Sequence, residues 1–447
     1  MIENLQALIR DKTKLKLGIN KINELSRLVY EIGRRENIPF EKVLETGPVN
    51  EIICKESAGY LAKFAGLKKY LLARRYPNAS KQAGIKAYFS RLKDLDGTAK
   101  VYGGKFRPEN IYVEEAARNS ALAQRLKALY PEIKVQSIKN LKTYRKQNPG
   151  SGLDPKKRDI FVALRKWDLI KPCPCTKNVV ACGYHIINIG FGCPYDCSYC
   201  YLQQYANFPG IILDSDISAH LVAAESYIQA RPGRKIRVGT GEFADSLALD
   251  HITEYSKELV PFFAGQNAVL ELKTKSDNIG NLLGLEHKGN TVISWSLNPQ
   301  VLANTEEIGA ASLAQRLEAA KKCAAAGYGI GFHFDPVIHY EGWEKDYKEV
   351  VNAMFDAVKY PAWISIGALR FHRTLKDVIE QRFPGSGYIY GELALGEDNK
   401  MRYYQGLRKD IFDKMSGWIK QRNQNSLVYL CMEDAEMWSS VLGRKAF

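Results

Sequence analysis

The chain has 447 residues, 45% of them hydrophobic and 25% charged, with a formal net charge of +15. It is too long for one ordinary core and too evenly mixed for a disordered or low-complexity protein. No apolar run reaches bilayer length, so a helical membrane span is excluded.

The N-terminal stretch MIENLQALIRDKTKLKLG is charged throughout and lacks a small-residue cleavage site, so the expected compartment is the cytoplasm. Thiols stay reduced there, and nine cysteines are then expected to be ligands, nucleophiles or core fillers. Residues 1–107 hold 22 Lys and Arg against 11 Asp and Glu. A basic segment of this kind suits a polyanion such as nucleic acid, or forms a solvated face. Within it IENLQALI, INELSRLVYEI and AGYLAKFAGLKKYLLARRY space their apolar residues by three and four, which predicts a helical extension. YPNAS and DLDGTAKVYGGKFRPEN break that pattern.

A small α/β segment is expected over 108–165, with strand NIYVEE, helix SALAQRLKALYP and strand EIKVQSI, followed by the polar loop KQNPGSGLDPKKRD. Over 166–447, six strands (YHIINIGF, KIRVGTG, AVLELKTK, TVISWSLN, YGIGFHFDPVI and AWISIGALRF) alternate with helical stretches such as HITEYSKELVPFF and SLAQRLEAAKKCAAAG. That alternation predicts an α/β fold, a partial parallel (β/α)6 TIM-like barrel whose chemistry lies at the carboxyl ends of its strands.

Directly after the first of these strands come Cys193, Cys197 and Cys200, spaced C-x3-C-x2-C. Thiolates bind soft metals and iron–sulfur clusters. Zinc sites pair two C-x2-C elements, and no second pair occurs at normal spacing. Three thiolates on a four-iron cluster leave one iron open to a further ligand. Strand two ends in Gly239, Thr240, Gly241 and Glu242, where two glycines allow close backbone approach and the carboxylate offers a countercharge. Lys275 ends strand three. Ser294, Ser296 and Asn298 end strand four on one face, and Asp335 lies on strand five. Successive strand ends rich in ligand-type side chains predict a pocket.

The cysteine spacing resembles the radical SAM superfamily, which reductively cleaves S-adenosylmethionine (SAM) at a 4Fe-4S cluster. CSYCYLQ, LDHIT, LEAAKKCAAAGYGIGF, HYEGWEKDY and KMRYYQG narrow the resemblance to the spore photoproduct lyase family over roughly residues 108–447. The resemblance implies cluster ligands at Cys193, Cys197 and Cys200. It implies SAM-binding positions at Gly239, Gly241, Glu242, Lys275, Ser296 and Asn298, and radical-relay tyrosines at Tyr199 and Tyr201. Arg402 and Tyr403 match residues that contact a flipped lesion in nucleic acid, DNA before RNA. Their other reading is the start of a helix. An external electron donor such as ferredoxin or flavodoxin is implied, and no membrane partner. The family's repair enzyme carries a hydrogen-donating cysteine after strand two. Here that stretch is TGEFADSLALD, with Glu242 near the place. A divergent member is therefore expected. Its rivals are a radical SAM enzyme acting on RNA or a peptide, and a non-catalytic iron–sulfur DNA-binding protein.

Three further cysteines, Cys173, Cys175 and Cys182, precede strand one, and no fourth ligand lies nearby in sequence. They admit three readings: hydrogen donation, a second cluster, or packing. Cys54, Cys323 and Cys431 are expected in the core. His333 and Asp335 alternate with apolar residues at a strand end and could face the pocket; His339 with Glu341 could act as acid and base, or these groups shape the strand-end loop through hydrogen bonds.

Overall fold

The apolar spacing of the first hundred residues yields helices at Ile2–Thr13, Ile19–Glu36, Phe40–Leu44, Gly47–Cys54 and Tyr60–Arg75. They are seen in a computed structural model that describes residues 1–79, 88–93, 99–149, 153–164, 169–176, 178–205, 208–396 and 398–443. The helix Ile19–Glu36 buries Ile22, Leu25, Val29 and Ile32 on one face and stops at Asn37, whose left-handed conformation lets its N–H reach the Gly33 carbonyl.

Two compact units divide the chain. The first gathers residues 1–99 with 338–341 and 369–408. The helices expected as an extension thus share a unit with a segment from the C-terminal third. That segment supplies β15 (Arg370–His372), β16 (Leu393–Leu395) and β17 (Lys400–Tyr403), an antiparallel sheet with β17 in the middle.

The second unit holds two larger sheets. The smaller has the order β2-β1-β3-β8-β6, from β1 (Asn110–Glu114), β2 (Val135–Ile138), β3 (Asp159–Ala163), β6 (Gly190–Phe191) and β8 (Ile211–Asp214). The expected strands NIYVEE and EIKVQSI are its β1 and β2. A helix at Ala121–Leu129, capped by Ser120, packs Leu122 and Leu126 against Ile111, Val113, Ile160 and Leu213.

The main sheet contains β4 (Ile170–Pro172), β5 (Tyr184–Ile187), β9 (Ile236–Gly239), β10 (Ala268–Thr274), β11 (Thr291–Ser296), β13 (Gly329–Val337), β14 (Trp363–Ala368) and β18 (Val428–Leu430). Its order is β18-β14-β13-β11-β10-β9-β5-β4. Each of the six expected strands supplies a parallel member of this sheet, two of them with their first half only. They are joined by a seventh parallel strand, β18, and by β4, which pairs antiparallel with β5. Segments beyond the sheet's two edge strands meet, since the Val180 N–H after β4 donates to the Glu433 carbonyl after β18 at 2.9 Å. The fold is therefore mixed α/β with its main sheet curled as a half-barrel, not a plain six-strand barrel.

YHIINIGF is not one strand. It leaves the main sheet after Ile187 and joins the smaller sheet at Gly190. Gly192, at φ +98, then turns the chain in a conformation that side chains with a Cβ rarely adopt. AWISIGALRF likewise divides between β14 and β15. Among the described residues no helix is long and apolar enough to cross a membrane.

Candidate functional site

The cysteine loop leaves the carboxyl end of β5 and is held from three sides. A two-stranded ribbon forms between β7 (Asp196–Cys197) and β12 (Glu307–Ile308), with Cys197 opposite Glu307. The Gln203 amide donates to the carbonyls of Cys197 and Ser198, each at 2.8 Å. The Lys157 ammonium donates to the carbonyls of Cys193 and Tyr195 and lies 3.4 Å from Asp196. Burial raises the Cys197 thiol well above its ordinary value, with Glu307, Cys200 and Cys193 adding to it against Lys275. Burial likewise pushes Cys193 up to about 12, helped by Asp245. Each thiol therefore feels its neighbours.

Among the described residues no three His, Cys, Asp or Glu side chains converge as a single metal ion requires. A four-iron cluster asks for a wider set, because each thiolate binds its own iron. Three thiols on one pinned loop fit such a group, which would be bound as they deprotonate.

Three of the expected site residues are gathered around Glu307. The Tyr199 hydroxyl donates to the Glu307 carboxylate, and the Asn298 amide donates to Glu307 Oε1 at 2.9 Å and to Tyr199 Oη at 3.2 Å. The Lys275 ammonium lies 4.0 Å from the same carboxylate and 5.6 Å from the Tyr199 ring centre. Tyr347 donates to the Asn298 carbonyl oxygen at 2.6 Å, and Arg316 reaches Glu307 at 2.5 Å. Ser296 is buried and uses its carbonyl to accept from Arg316 at 2.9 Å. The sequence pattern singles out neither Glu307 nor Arg316, whereas Tyr347 closes the family-like stretch HYEGWEKDY.

The strand-two element is arranged differently from the expectation of an open ligand edge. A Cβ at Gly239 would stand 2.2 Å from the Tyr184 hydroxyl and 2.5 Å from the Glu271 carbonyl oxygen, so packing inside the sheet explains this glycine. Gly241 has ordinary clearance, 3.5 Å to Lys273 Cβ. The Glu242 carboxylate accepts from the Asn188 amide at 3.2 Å and pairs with Lys171 at 3.3 Å. Tyr201, 42% exposed, donates to the Glu242 backbone carbonyl.

His333 does not face a solvent-filled pocket. It is buried, with Nε2 2.7 Å from Glu271 Oε1, which also accepts from Ser294 at 2.7 Å. Arg237 lies 3.4 Å from the other oxygen of Glu271. Burial, then Lys273, pushes the His333 imidazole down to about 4, and its partners hold Glu271 down at about 2 against burial. Both folded values lie below the ordinary 6.5 and 4.5, so the unfolded chain binds the extra proton more readily. Stability is therefore full above about pH 6.5 and falls as the pH drops toward 4, then further toward 2. Denaturant unfolding at pH 7 and pH 5 should show this slope, and His333→Gln should flatten it between those values. An unchanged slope would disprove it.

In the first unit, Arg402 pairs with Asp398 on the turn before β17, and Tyr403 is fully buried with its hydroxyl accepting the His339 N–H at 2.9 Å. Both belong to a strand, and the helix that follows begins at Gln405. Cys323 is core as expected, whereas Cys54 is exposed on its short helix and Cys431 is only half-buried.

The family model described as spore photoproduct lyase matches residues 106–422. The spore photoproduct lyase of Bacillus subtilis (strain 168) is 28% identical over 327 residues, covering 69% of this chain and 91% of that protein. Its counterpart from Geobacillus sp. (strain Y412MC61) is 27% identical over 297 residues, covering 62% and 83%. A solved spore photoproduct lyase mutant with bound AdoMet and dinucleoside spore photoproduct superposes with a TM-score of 0.65 at 26% identity, covering 73% of this chain and all of that one. The chain belongs to the spore photoproduct lyase family of radical SAM lyases.

Proposed function

We propose that this protein binds a 4Fe-4S cluster through Cys193, Cys197 and Cys200 and acts as a radical SAM enzyme on a damaged or modified nucleic-acid base, in DNA before RNA. The observation that carries this reading is the pinned three-thiol loop at the carboxyl end of β5, in a family whose solved relative holds AdoMet and a dinucleoside lesion. When bound, the cluster and SAM supply a 5′-deoxyadenosyl radical, after one electron from a donor such as ferredoxin or flavodoxin.

The chain's own residues divide the remaining work. Gly241, with room at its Cα, and Glu242 form one edge of the SAM site, and Lys275, Ser296 and Asn298 form the other. Tyr199 and Tyr201 are the relay residues but are not equivalent. Tyr199 Oη points its proton at the Glu307 carboxylate, which can accept it when the phenol is oxidised. Tyr201 Oη points at a backbone carbonyl, which cannot take a proton at ordinary pH. Arg402 and Tyr403 form the nucleic-acid contact. Because Tyr403 is buried and Arg402 is held by Asp398, base contact there requires these side chains to be released. One observation favours a different substrate, a modified RNA base or a peptide: TGEFADSLALD has no thiol where the family's repair enzyme places its hydrogen donor.

Anaerobic incubation with dithionite and SAM should give 5′-deoxyadenosine, and the Cys193→Ala, Cys197→Ala, Cys200→Ala triple variant should give none. Adding ultraviolet-treated DNA or RNA, with mass spectrometry of the nucleosides, assigns the substrate. A wild-type protein that carries its cluster yet yields no 5′-deoxyadenosine would end the proposal.

A further inference from the structure

Four cysteines outside the proposed SAM-cluster loop meet at the seam where segments beyond the main sheet's two edge strands come together. Cys173 and Cys175 follow β4, Cys182 precedes β5, and Cys431 follows β18 at the far end of the chain. The sequence alone offered three of them and no fourth partner.

The backbone explains the meeting. The Cys173 N–H donates to the Tyr184 carbonyl at 2.9 Å, and the Cys175 N–H folds back onto the Cys173 carbonyl at 2.8 Å. On the opposite side, the Cys431 N–H donates to the Ile366 carbonyl at 2.8 Å and so continues the β14–β18 ladder. The Val180 to Glu433 hydrogen bond closes the seam between the two sides.

Arg237 bridges the same gap with its side chain. One guanidinium nitrogen lies 3.1 Å from Cys182 Sγ, and the other donates to Tyr429 Oη at 3.1 Å. Tyr429 lies on β18, two residues before Cys431. The Cys175 thiol first, then burial, raise the pKa of the Cys173 thiol, and Cys431 and Cys182 add to it. None of the four is in a disulfide.

Packing alone does not account for this group. Cys323 shows what a core cysteine looks like here, with 0% exposure and an apolar helix face around it. The four seam cysteines all keep partial exposure, and the Cys173 thiol has other thiols as neighbours. Four sulfur donors form the ligand set for a soft metal or an iron–sulfur cluster. Among the described residues no three His, Cys, Asp or Glu side chains are placed to hold a single ion. A multi-iron cluster spreads its thiolates over separate irons. The Arg237 guanidinium beside Cys182 supplies positive charge to a thiolate there.

We propose that Cys173, Cys175, Cys182 and Cys431 bind a second iron–sulfur cluster at the seam. Its ligands are distinct from Cys193, Cys197 and Cys200, so the inference stands or falls independently of the SAM reading.

The test is iron and acid-labile sulfide content after anaerobic reconstitution with ferrous iron and sulfide, together with EPR of the reduced protein. The wild type should hold about eight iron per chain. The variant lacking Cys193, Cys197 and Cys200 should keep about half, with an EPR signal that SAM does not change. The Cys173→Ser, Cys175→Ser, Cys182→Ser, Cys431→Ser variant should keep the other half, with a SAM-sensitive signal. If that quadruple variant does not fold, the first variant, which retains all four seam cysteines, still decides the matter. An iron-free first variant, or zinc in place of iron at the seam, would overturn the proposal. A wild type with both clusters but no 5′-deoxyadenosine would overturn the SAM reading alone.

Discussion

Glu307→Gln is expected to lower the unfolding free energy by about 3–5 kcal/mol, the usual result of stripping one partner from a buried ion pair. The side chain has no exposed surface and receives Arg316 at 2.5 Å, Asn298 at 2.9 Å, the Tyr199 hydroxyl, and Lys275 at 4.0 Å. Burial alone would raise its pKa, but Arg316 first and Lys275 next hold it down at about 2. The carboxylate is therefore ionised at every working pH. Glutamine keeps the shape and one acceptor oxygen and removes the charge. Arg316, itself 0% exposed, then loses the charge of its carboxylate partner.

The same substitution should also reach the cluster loop. Glu307 is the ribbon partner of Cys197 and the anchor of Tyr199, two residues further on. Iron retention after reconstitution should fall in Glu307→Gln when it is measured at a denaturant concentration too low to unfold the chain. As a control, Glu318→Gln removes an exposed pair with Lys322 and should change stability by less than about 0.5 kcal/mol. The double variant Glu307→Gln, Arg316→Met should recover part of the loss, because the uncompensated buried cation is then gone. Equal stability of Glu307→Gln and wild type in urea would show that this carboxylate is not the hub described.

The sequence was most legible where one short-range rule decides the structure. SLAQRLEAAKKCAAAG carries its own start signal, and the helix Leu313–Ala325 begins with a capping box between Ser312 and Gln315. The runs AVLELKTK and TVISWSLN are long, apolar and bounded by turns, and they became β10 and β11 nearly as expected. The three-thiol loop was legible because its ligands are close in sequence. What escaped was set by distant partners. β18 is three residues long and belongs to the sheet only because β14 lies beside it. Glu307 is singled out only once Cys197 pairs with it. Cys431 looks like packing until the seam brings it to Cys173. YHIINIGF reads as one strand, yet its two halves pair with different sheets. No local pattern records which neighbour a strand will find.

The second large effect concerns residues 1–99. The positive charge of residues 1–107 suits a polyanion or a solvated face, and two of its cations serve neither, since Arg27 and Arg75 are 1% and 0% exposed. Both bond to Glu31, at 2.6 and 2.8 Å, and Lys376 reaches the same carboxylate at 2.6 Å. Arg27 also makes a two-pronged pair with Glu380, at 2.8 and 2.9 Å, and Arg75 donates to the Gly391 carbonyl at 3.2 Å. These cations hold the first helices to the segment 369–408 rather than wait for a ligand. Burial opposes ionisation of Glu31, yet Lys376, Arg75 and Arg27 together depress its pKa far below the ordinary value. A depressed carboxylate contributes stability that is full above about pH 4.5 and lost only as the pH falls toward its folded value. Glu31→Ala takes from Arg75 and Lys376 the carboxylate they share and leaves Arg27 with Glu380, and should cost about 3–5 kcal/mol. The unit should then melt at lower denaturant while the SAM-dependent signal of the cluster loop, which lies in the other unit, persists. Hydrogen exchange would read this directly, as lost protection in Ile19–Glu36, Tyr60–Arg75 and Leu375–Arg382 with β10 and β11 unchanged. Protection equal to wild type in those three helices would mean that the basic residues are not structural. In that case the electrostatic role in nucleic-acid binding would be the better account of their charge. Removing residues 1–99 outright cannot make this distinction, because it would also expose Lys376 and Glu380 without their partners.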